Sequence, residues 1–284
     1  MPLRIHCLAS SSTVIDGIQD CRLANNIEYE LARGDGVPFT TFVAERQRRP
    51  TSTFVTKKLG PATTLFGLAG YKISATPLDL WFADEDNGGT IGTTGTKVSV
   101  TKGIVVPRSL AAPCGQAASL TYELAAAKTD GTAPYAVTDA ATFPTGALLD
   151  ELNMLTGVTI GGVAVPQLRQ VSIEWNPRIR TIHADSAQYP ILVALEDLQP
   201  VIRISTYKDV ALSTYLTGAV AAVVITLSKC ENGGRFALTG HKTLTTYVSG
   251  GAAESLAGSI SQPAETELVI QVAWNGTNSP IHIA

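Results

Sequence analysis

Carboxylates crowd one short stretch of this 284-residue chain, Asp84-Glu85-Asp86-Asn87-Gly88-Gly89. Oxygen ligands at that spacing, followed by glycines that let the backbone bend, suit a hard cation such as Ca²⁺. The bidentate Glu that closes an EF-hand loop is missing downstream. A later segment, Ser228-Lys229-Cys230-Glu231-Asn232-Gly233-Gly234, keeps the turn and loses two of the acids. The recurring feature is therefore the bend, and a solvated hairpin loop is expected. The glycines from Gly88 to Gly95 lack the Lys-Ser/Thr and the following helix of a phosphate cradle. His6, His183, His241 and His282 are isolated, and neither G-x-S-x-G nor H-E-x-x-H occurs. Cys7, Cys21, Cys114 and Cys230 have no C-x-x-C spacing and read as free thiols in a reducing compartment. No catalytic residue, cofactor-binding residue or metal ligand is assigned, no cofactor is expected, and the chain does not read as an enzyme.

One charged constellation points to contacts between surfaces. Arg46, Arg48 and Arg49 precede Pro50, while Leu195-Glu196-Asp197-Leu198 precedes Pro200. Opposite charge at matched places can bias which surfaces meet in an assembly of repeating halves. Two unrelated solvated loops are the simpler reading.

These residues need elements to hold them, and strand signals dominate. Val171, Ile173 and Trp175 alternate with polar neighbours, as do Leu268, Ile270, Val272 and Trp274. The run Lys97 to Val106 begins with the same alternation at Val98 and Val100. Two helices are expected. One covers Lys57 to Phe66, capped by Thr56, with Pro61 near its first turn and Gly67 ending it. The other starts at Thr206, where Asp209 has capping-box spacing, and runs through Leu212, Tyr215 and Leu216 to Gly218. Each follows a strand led by proline, Pro50 to Val55 and Pro200 to Ser205.

That shared order belongs to a longer internal repeat. Ile15-Asp16-Gly17 returns as Ile160-Gly161-Gly162, and Ile27-Glu28-Tyr29 as Ile173-Glu174-Trp175. Pro38 and Pro50 answer to Pro190 and Pro200, and Lys58 to Lys208. Asn87-Gly88-Gly89, Gly95 and Lys97 return as Asn232-Gly233-Gly234, Gly240 and Lys242. Gln116 matches Gln262, Asp130-Gly131-Thr132 matches Asn275-Gly276-Thr277, and Pro134 matches Pro280. The offset is 145 at the first match, 152 at Pro38, 150 at Lys58 and 145 or 146 from Asn87. Drift confined to the gaps between motifs fits insertions in loops. The fold expected is mainly β: two tandem, similar antiparallel β-sandwich or barrel domains, each with one flanking α-helix. They are placed at 1–137 and 153–284, with a connector at 138–152 that includes a short helical turn from Ala147 to Leu152. No flexible linker tract separates them.

Composition narrows the functional class. Hydrophobic residues make up 45% and charged residues 16%, so large permanent interfaces are one way to cover the apolar surface. A net charge of −3 argues against gripping nucleic acid, which needs clustered Lys and Arg on phosphates. The apolar run from Ala219 to Leu227 is far short of the roughly 20 residues that span a bilayer, and no signal segment is read at the start. No membrane partner is expected.

The stretch from Arg49 to Pro107 resembles phage tail tube proteins. It runs from Arg49-Pro50-Thr51-Ser52-Thr53-Phe54-Val55-Thr56, through the helix ending in Leu65-Phe66-Gly67-Leu68-Ala69-Gly70, to Leu78-Asp79-Leu80-Trp81-Phe82-Ala83. The Gly-rich turn then leads to Val98-Ser99-Val100-Thr101-Lys102-Gly103-Ile104-Val105-Val106-Pro107. Val171 to Asn176, Tyr189-Pro190 and Pro200 to Lys208 are similar again. The resemblance implies stacked rings around a channel that conducts DNA without binding it specifically. The duplicated form implies a homotrimeric ring with pseudo-sixfold symmetry, or alternatively a hexamer. It also implies tape measure, terminator and tail-tip proteins as partners, with assembly in the bacterial host cytoplasm and residence in the virion tail. The loops 84–97 and 229–242 and the chain ends are the expected stacking elements. A tail-tip or baseplate hub ring is the nearest alternative. A two-domain adhesin or carbohydrate binder is a more distant one, and it would need an aromatic-lined groove.

Overall fold

The computed structural model describes residues 3–33, 39–84, 92–146, 151–207, 219–220, 222–231, 238–246, 251–258, 266–272 and 280–283. The chain is mainly β, as its alternating patterns imply. The first half begins with β1 (Leu3–Ser10), β2 (Thr13–Ile15), β3 (Ile18–Ala24), β4 (Ile27–Arg33), β5 (Thr40–Arg48) and β6 (Thr51–Thr56). Helix α1 (Leu59–Phe66) comes next, then β7 (Tyr71–Ile73), β8 (Leu78–Asp84) and β9 (Thr94–Val100). Strands β10 (Gly103–Pro113), β11 (Ser119–Ala126) and β12 (Tyr135–Thr142) complete it.

The second half opens with β13 (Glu151–Ile160), β14 (Val163–Ala164), β15 (Leu168–Glu174), β16 (Arg178–Ile182), β17 (Leu192–Asp197) and β18 (Val201–Thr206). It continues with β19 (Ala219–Val220), β20 (Val223–Glu231) and β21 (Leu238–Thr246). Last come β22 (Gly251–Gly258), β23 (Thr266–Gln271) and β24 (Ile281–Ile283). The second helix expected after Thr206 falls at 208–218, outside the described residues.

Every strand pairing is antiparallel, and the two halves pair alike. β1 joins β2 and β8, as β13 joins β14 and β20. β9 joins β8 and β12, as β21 joins β20 and β24. β6 joins β3 and β11, as β18 joins β15 and β23. β10 joins β7 and β11, as β22 joins β19 and β23. β4 joins β5, as β16 joins β17.

Bulges agree in two of the ladders. The β3–β6 ladder shifts between Ile18 and Asp20, and the β15–β18 ladder shifts between Leu168 and Gln170. The β1–β8 ladder shifts between Ile5 and Cys7, and the β13–β20 ladder between Leu155 and Gly157. A bulge re-aims a strand at a set place, so matched bulges align residues more closely than turn motifs do. From β1 to β6 the structural offset is 150 throughout. The motif matches at offsets 145 and 152 before Pro50 therefore do not pair structurally equivalent residues. Glycines, prolines and short apolar runs recur cheaply in a β-rich chain, so such matches fix the alignment only loosely.

The halves share one sheet. Ten strands run in the order β19-β22-β23-β18-β15-β10-β11-β6-β3, with β7 beside β10. Two five-stranded sheets, β12-β9-β8-β1-β2 and β14-β13-β20-β21-β24, supply the other layers. One hydrophobic core runs through all three, from Leu8, Leu80 and Val98 through Phe54, Leu120 and Ile173 to Val158, Ile225 and Leu244. Phe54, Phe66 and Tyr122 form its aromatic centre, with ring centroids 5.1–5.7 Å apart. Trp81 and Trp175 are buried, as their strand patterns imply, while Trp274 lies outside the described residues.

Several local expectations need correction. Thr56 ends β6 and does not cap the helix, which starts at Leu59 without a side-chain cap. The Thr56 hydroxyl instead donates to the Asp16 carbonyl at 3.0 Å. Pro61 sits in the first turn, where its missing N–H leaves no bond unmade. The run 97–106 is two strands, because Gly103 takes φ +154° and a Cβ there would strike the Ala125 carbonyl. β23 loses strict alternation, since Val269 is buried between Leu268 and Ile270. Seven of the fifteen residues assigned to the connector are strand: Thr138–Thr142 belong to β12 and Glu151–Leu152 to β13. Ala147–Asp150 lie outside the described residues.

A buried ion pair, Lys58 Nζ to Asp16 Oδ1 at 3.1 Å, ties the entrance of α1 to the β2–β3 turn. Replacing Asp16 by Asn removes one buried negative charge from beside the Lys58 ammonium. We expect a loss of about 3–5 kcal/mol in denaturant unfolding, and a change under 1 kcal/mol would show the pair to be inert. Phe54→Ala empties the aromatic centre and should cost about 3–5 kcal/mol by the same measurement.

Candidate assembly interface

The seam between the halves is the best-defined recognition surface in the molecule. β10 pairs with β15 through Ser109↔Glu174, Leu110↔Ile173, Ala111↔Ser172, Ala112↔Val171 and Pro113↔Gln170. Leu110, Ala112, Val171 and Ile173 are buried, so alternate rungs of the seam are dry. Main-chain bonds extend it at both ends. Trp175 N donates to Arg108 O at 2.9 Å, Cys114 N to Arg169 O at 2.8 Å and Ala118 N to Asn153 O at 2.7 Å.

A second contact comes from the β16–β17 ribbon, which leaves the sheet and lies on the first half. Its Val193 and Ile179 pack against Ala125, Ala127 and Ile104. The loop at its tip is tied down by Lys128 N donating to Pro190 O at 2.9 Å and Tyr189 N donating to Gly131 O at 3.2 Å. Gly131 takes φ +69°, and a Cβ there would press on Ala187, so only glycine lets the loop approach this closely.

The same tip meets the base of the β4–β5 ribbon. Arg48 N donates to Gln188 O at 2.8 Å, and Gln188 Nε2 donates to Glu45 Oε1 at 2.9 Å. The Arg48 guanidinium donates to the Tyr189 hydroxyl at 3.0 Å and holds the Glu45 carboxylate in a two-point contact. Its cationic centre also lies 5.6 Å from the centroid of the Tyr189 ring. These bonds raise the Arg48 pKa above its ordinary value, and the bond from Arg48 holds Glu45 below the usual carboxylate range. Tyr135 stands edge-on to Tyr189 at 6.2 Å and donates to Asn25 Oδ1 at 2.9 Å.

The opposite charges noted in the sequence fall on the two ribbons. Arg46 pairs with Glu30 and Arg49 with Glu28, both at 3.7 Å. On the other ribbon Glu196 meets Arg178 at 3.2 Å and Arg180 at 3.7 Å. At the 150-residue offset Glu28, Glu30 and Arg46 correspond to Arg178, Arg180 and Glu196. The sign is reversed at each place, and each cluster is neutralised within its own ribbon.

The remaining candidates do not converge. The acidic turn lies largely at 85–91, outside the described residues, as does much of 229–242. The four cysteines are free. Burial first, and then the Asp16 charge, push the Cys7 thiol up to about 12, which keeps it protonated and inert. His6 stacks on Phe143 at 4.3 Å, His183 lies in the ribbon loop and His282 in β24. Among the described residues no three of His, Cys, Asp and Glu gather where a metal ion would be held. No helix among them is long and apolar enough to cross a membrane.

No protein-family model matches the chain, and no curated protein matches it significantly. Sequence reasoning missed Tyr189, Gln188 and Glu45 as a contact because Pro38 had been matched to Pro190. Counting from the ends of the ribbon strands, 32 to 42 against 182 to 192, was the signal that aligns them.

His183 gives the interface a pH dependence. Burial, and then the positive charge of Arg49, hold its pKa below 6.5. The folded imidazole takes up a proton less readily than the unfolded one, so its stabilising contribution is complete above 6.5 and is lost as pH falls through the folded value. We expect the melting temperature to fall more between pH 7.5 and 5.5 in the wild type than in His183→Gln; parallel slopes would refute this.

Proposed function

We propose that this chain is the subunit of a self-assembling ring, stacked into the tail tube of a bacteriophage, through which DNA passes. The observation that carries the reading is the β10–β15 seam together with the two sheet edges that repeat its halves. By register β3 is the counterpart of β15, and it forms one end of the ten-stranded sheet. β22 is the counterpart of β10 at the other end, and beyond Ala252 its outer edge has no strand partner among the described residues. Open edges invite a strand from another copy, and the chain already carries both sides of a junction it makes once internally.

Repeating that junction between copies is a head-to-tail contact, which closes into a ring when the rotation permits. Three chains with six quasi-equivalent domains are the closure we favour, with six chains as the alternative. Closure removes the exposed edges and stops sideways growth. Stacking of such rings gives a tube, and a chain of net charge −3 has little affinity for the DNA it conducts. The expected partners beyond the chain itself are the tape measure, terminator and tail-tip proteins of the same particle.

Native mass spectrometry and negative-stain microscopy of the purified protein test the reading. Rings or hollow rods built from three times the 29.8 kDa chain mass are expected. A particle that stays at one chain mass at high concentration and has no axial opening would sink it. The register also predicts that Ala24 of one copy pairs with Ala257 of the next, as Glu174 pairs with Ser109 within the chain. In a cysteine-free background, Ala24→Cys with Ala257→Cys and a short bis-maleimide should yield a covalent ladder, with Ser109→Cys and Glu174→Cys as the intrachain control.

A further inference from the structure

The β4–β5 ribbon carries an apolar face that nothing in the described chain covers. Tyr29 is 53% exposed and Val43 59%. Their register counterparts on the other ribbon, Ile179 and Val193, are the residues packed on Ala125, Ala127 and Ile104. The two ribbons thus present the same face, covered in one and bare in the other.

The tips sharpen the contrast. Ala32 pairs with Phe42 and Ile182 with Leu192, so both loops have the same length and Phe39 takes the place of Tyr189. Tyr189 is 6% exposed in its seat, and Phe39 is 75% exposed. A phenyl ring held in water on a ribbon tip is an anchor without a pocket.

The second half contains a place for it. The seat of Tyr189 is built from Arg48, Glu45 and Tyr135. At the 150-residue offset Arg48 and Glu45 become Leu198 and Leu195, and by the register of β12 and β24 Pro134, next to Tyr135, becomes Pro280, 146 residues on. Leu195, Glu196, Asp197, Leu198 and Pro280 line a cavity of about 310 Å³. The changes are coupled in chemistry. A knob with a hydroxyl faces a seat with a guanidinium and a carboxylate, and a knob that is a bare ring corresponds to a seat of leucines.

We propose that Phe39 of one chain seats in the Leu195–Leu198–Pro280 cavity of a second copy, reproducing between chains the contact that Tyr189 makes within one. This rests on the ring reading only in requiring that copies meet as the halves do. It adds an apolar lock to the edge pairing, and it orders the halves. Phe39 offers the Arg48 guanidinium no hydroxyl to donate to, and Leu195 and Leu198 offer none of the bonds that Arg48 gives Tyr189, so each tip is matched to its own seat.

The test mixes two cysteine-free chains, one carrying Phe39→Cys and the other Glu196→Cys, with a short bis-maleimide. Any mixed adduct is intermolecular. A mixed adduct, together with Phe39→Glu raising the concentration needed for assembly by about 30-fold or more, is the expected result. Circular dichroism should show Phe39→Glu folded, because the wild-type ring touches water. Rings that form without the adduct and tolerate Phe39→Glu overturn this contact and leave the ring reading standing. An adduct without rings supports the contact and defeats the ring. Single chains with no adduct defeat both.

Discussion

Between Ser109 and Ala111, β10 must bond on both edges at once, to β11 on one side and to β15 on the other. Much else in the structure depends on that double obligation. A buried strand cannot leave its N–H and C=O groups unpaired without losing free energy comparable to a hydrogen bond at each. The first half therefore cannot end its sheet at β10, and the second half supplies β15. What results is one ten-stranded sheet with one core rather than two beads joined by a linker.

Because the halves share their pairing scheme, what satisfies β10 defines what β22 still lacks, and what occupies β15 defines what β3 still offers. A single copy of such a domain would expose both edges. Two copies hide one pair and expose the other, so in the proposed ring the internal seam is the template for the external contact. Exposed edges are an aggregation hazard unless they meet a specific partner in a closed geometry. The ribbons address specificity in a different way. Their reversed charges are neutralised locally, while their tips and seats differ in polarity, Arg48, Glu45 and Tyr189 in one setting and Leu198, Leu195 and Phe39 in the other. Polar groups that would be stranded in the wrong pairing discriminate more strongly than apolar area does.

The strands themselves were legible because burial on one face writes a period of two into the residues. Val171, Ile173 and Trp175 announced β15, and Pro50 and Pro200 announced β6 and β18. The helix was legible through Gly67 at its end, where φ is +64°, but not at its start, where tertiary packing replaces a capping side chain. The repeat was visible in outline but misaligned before Pro50. The residues that truly correspond, such as Asn26 and Asn176, share a left-handed backbone and a bond to the carbonyl of Arg49 or Gln199. One asparagine among many carries no visible weight in a string of letters.

The sequence alone determined a β-rich, sparsely charged chain with a doubled order of elements, because local periodicity and composition need no partner to be read. Tertiary structure alone decided which strands meet, that the halves merge through β10 and β15, and that Tyr189 is seated while Phe39 stands in water. Those outcomes depend on residues 57 to 141 positions apart satisfying the same hydrogen bonds and apolar surface, and no local pattern encodes which of several similar edges will do so.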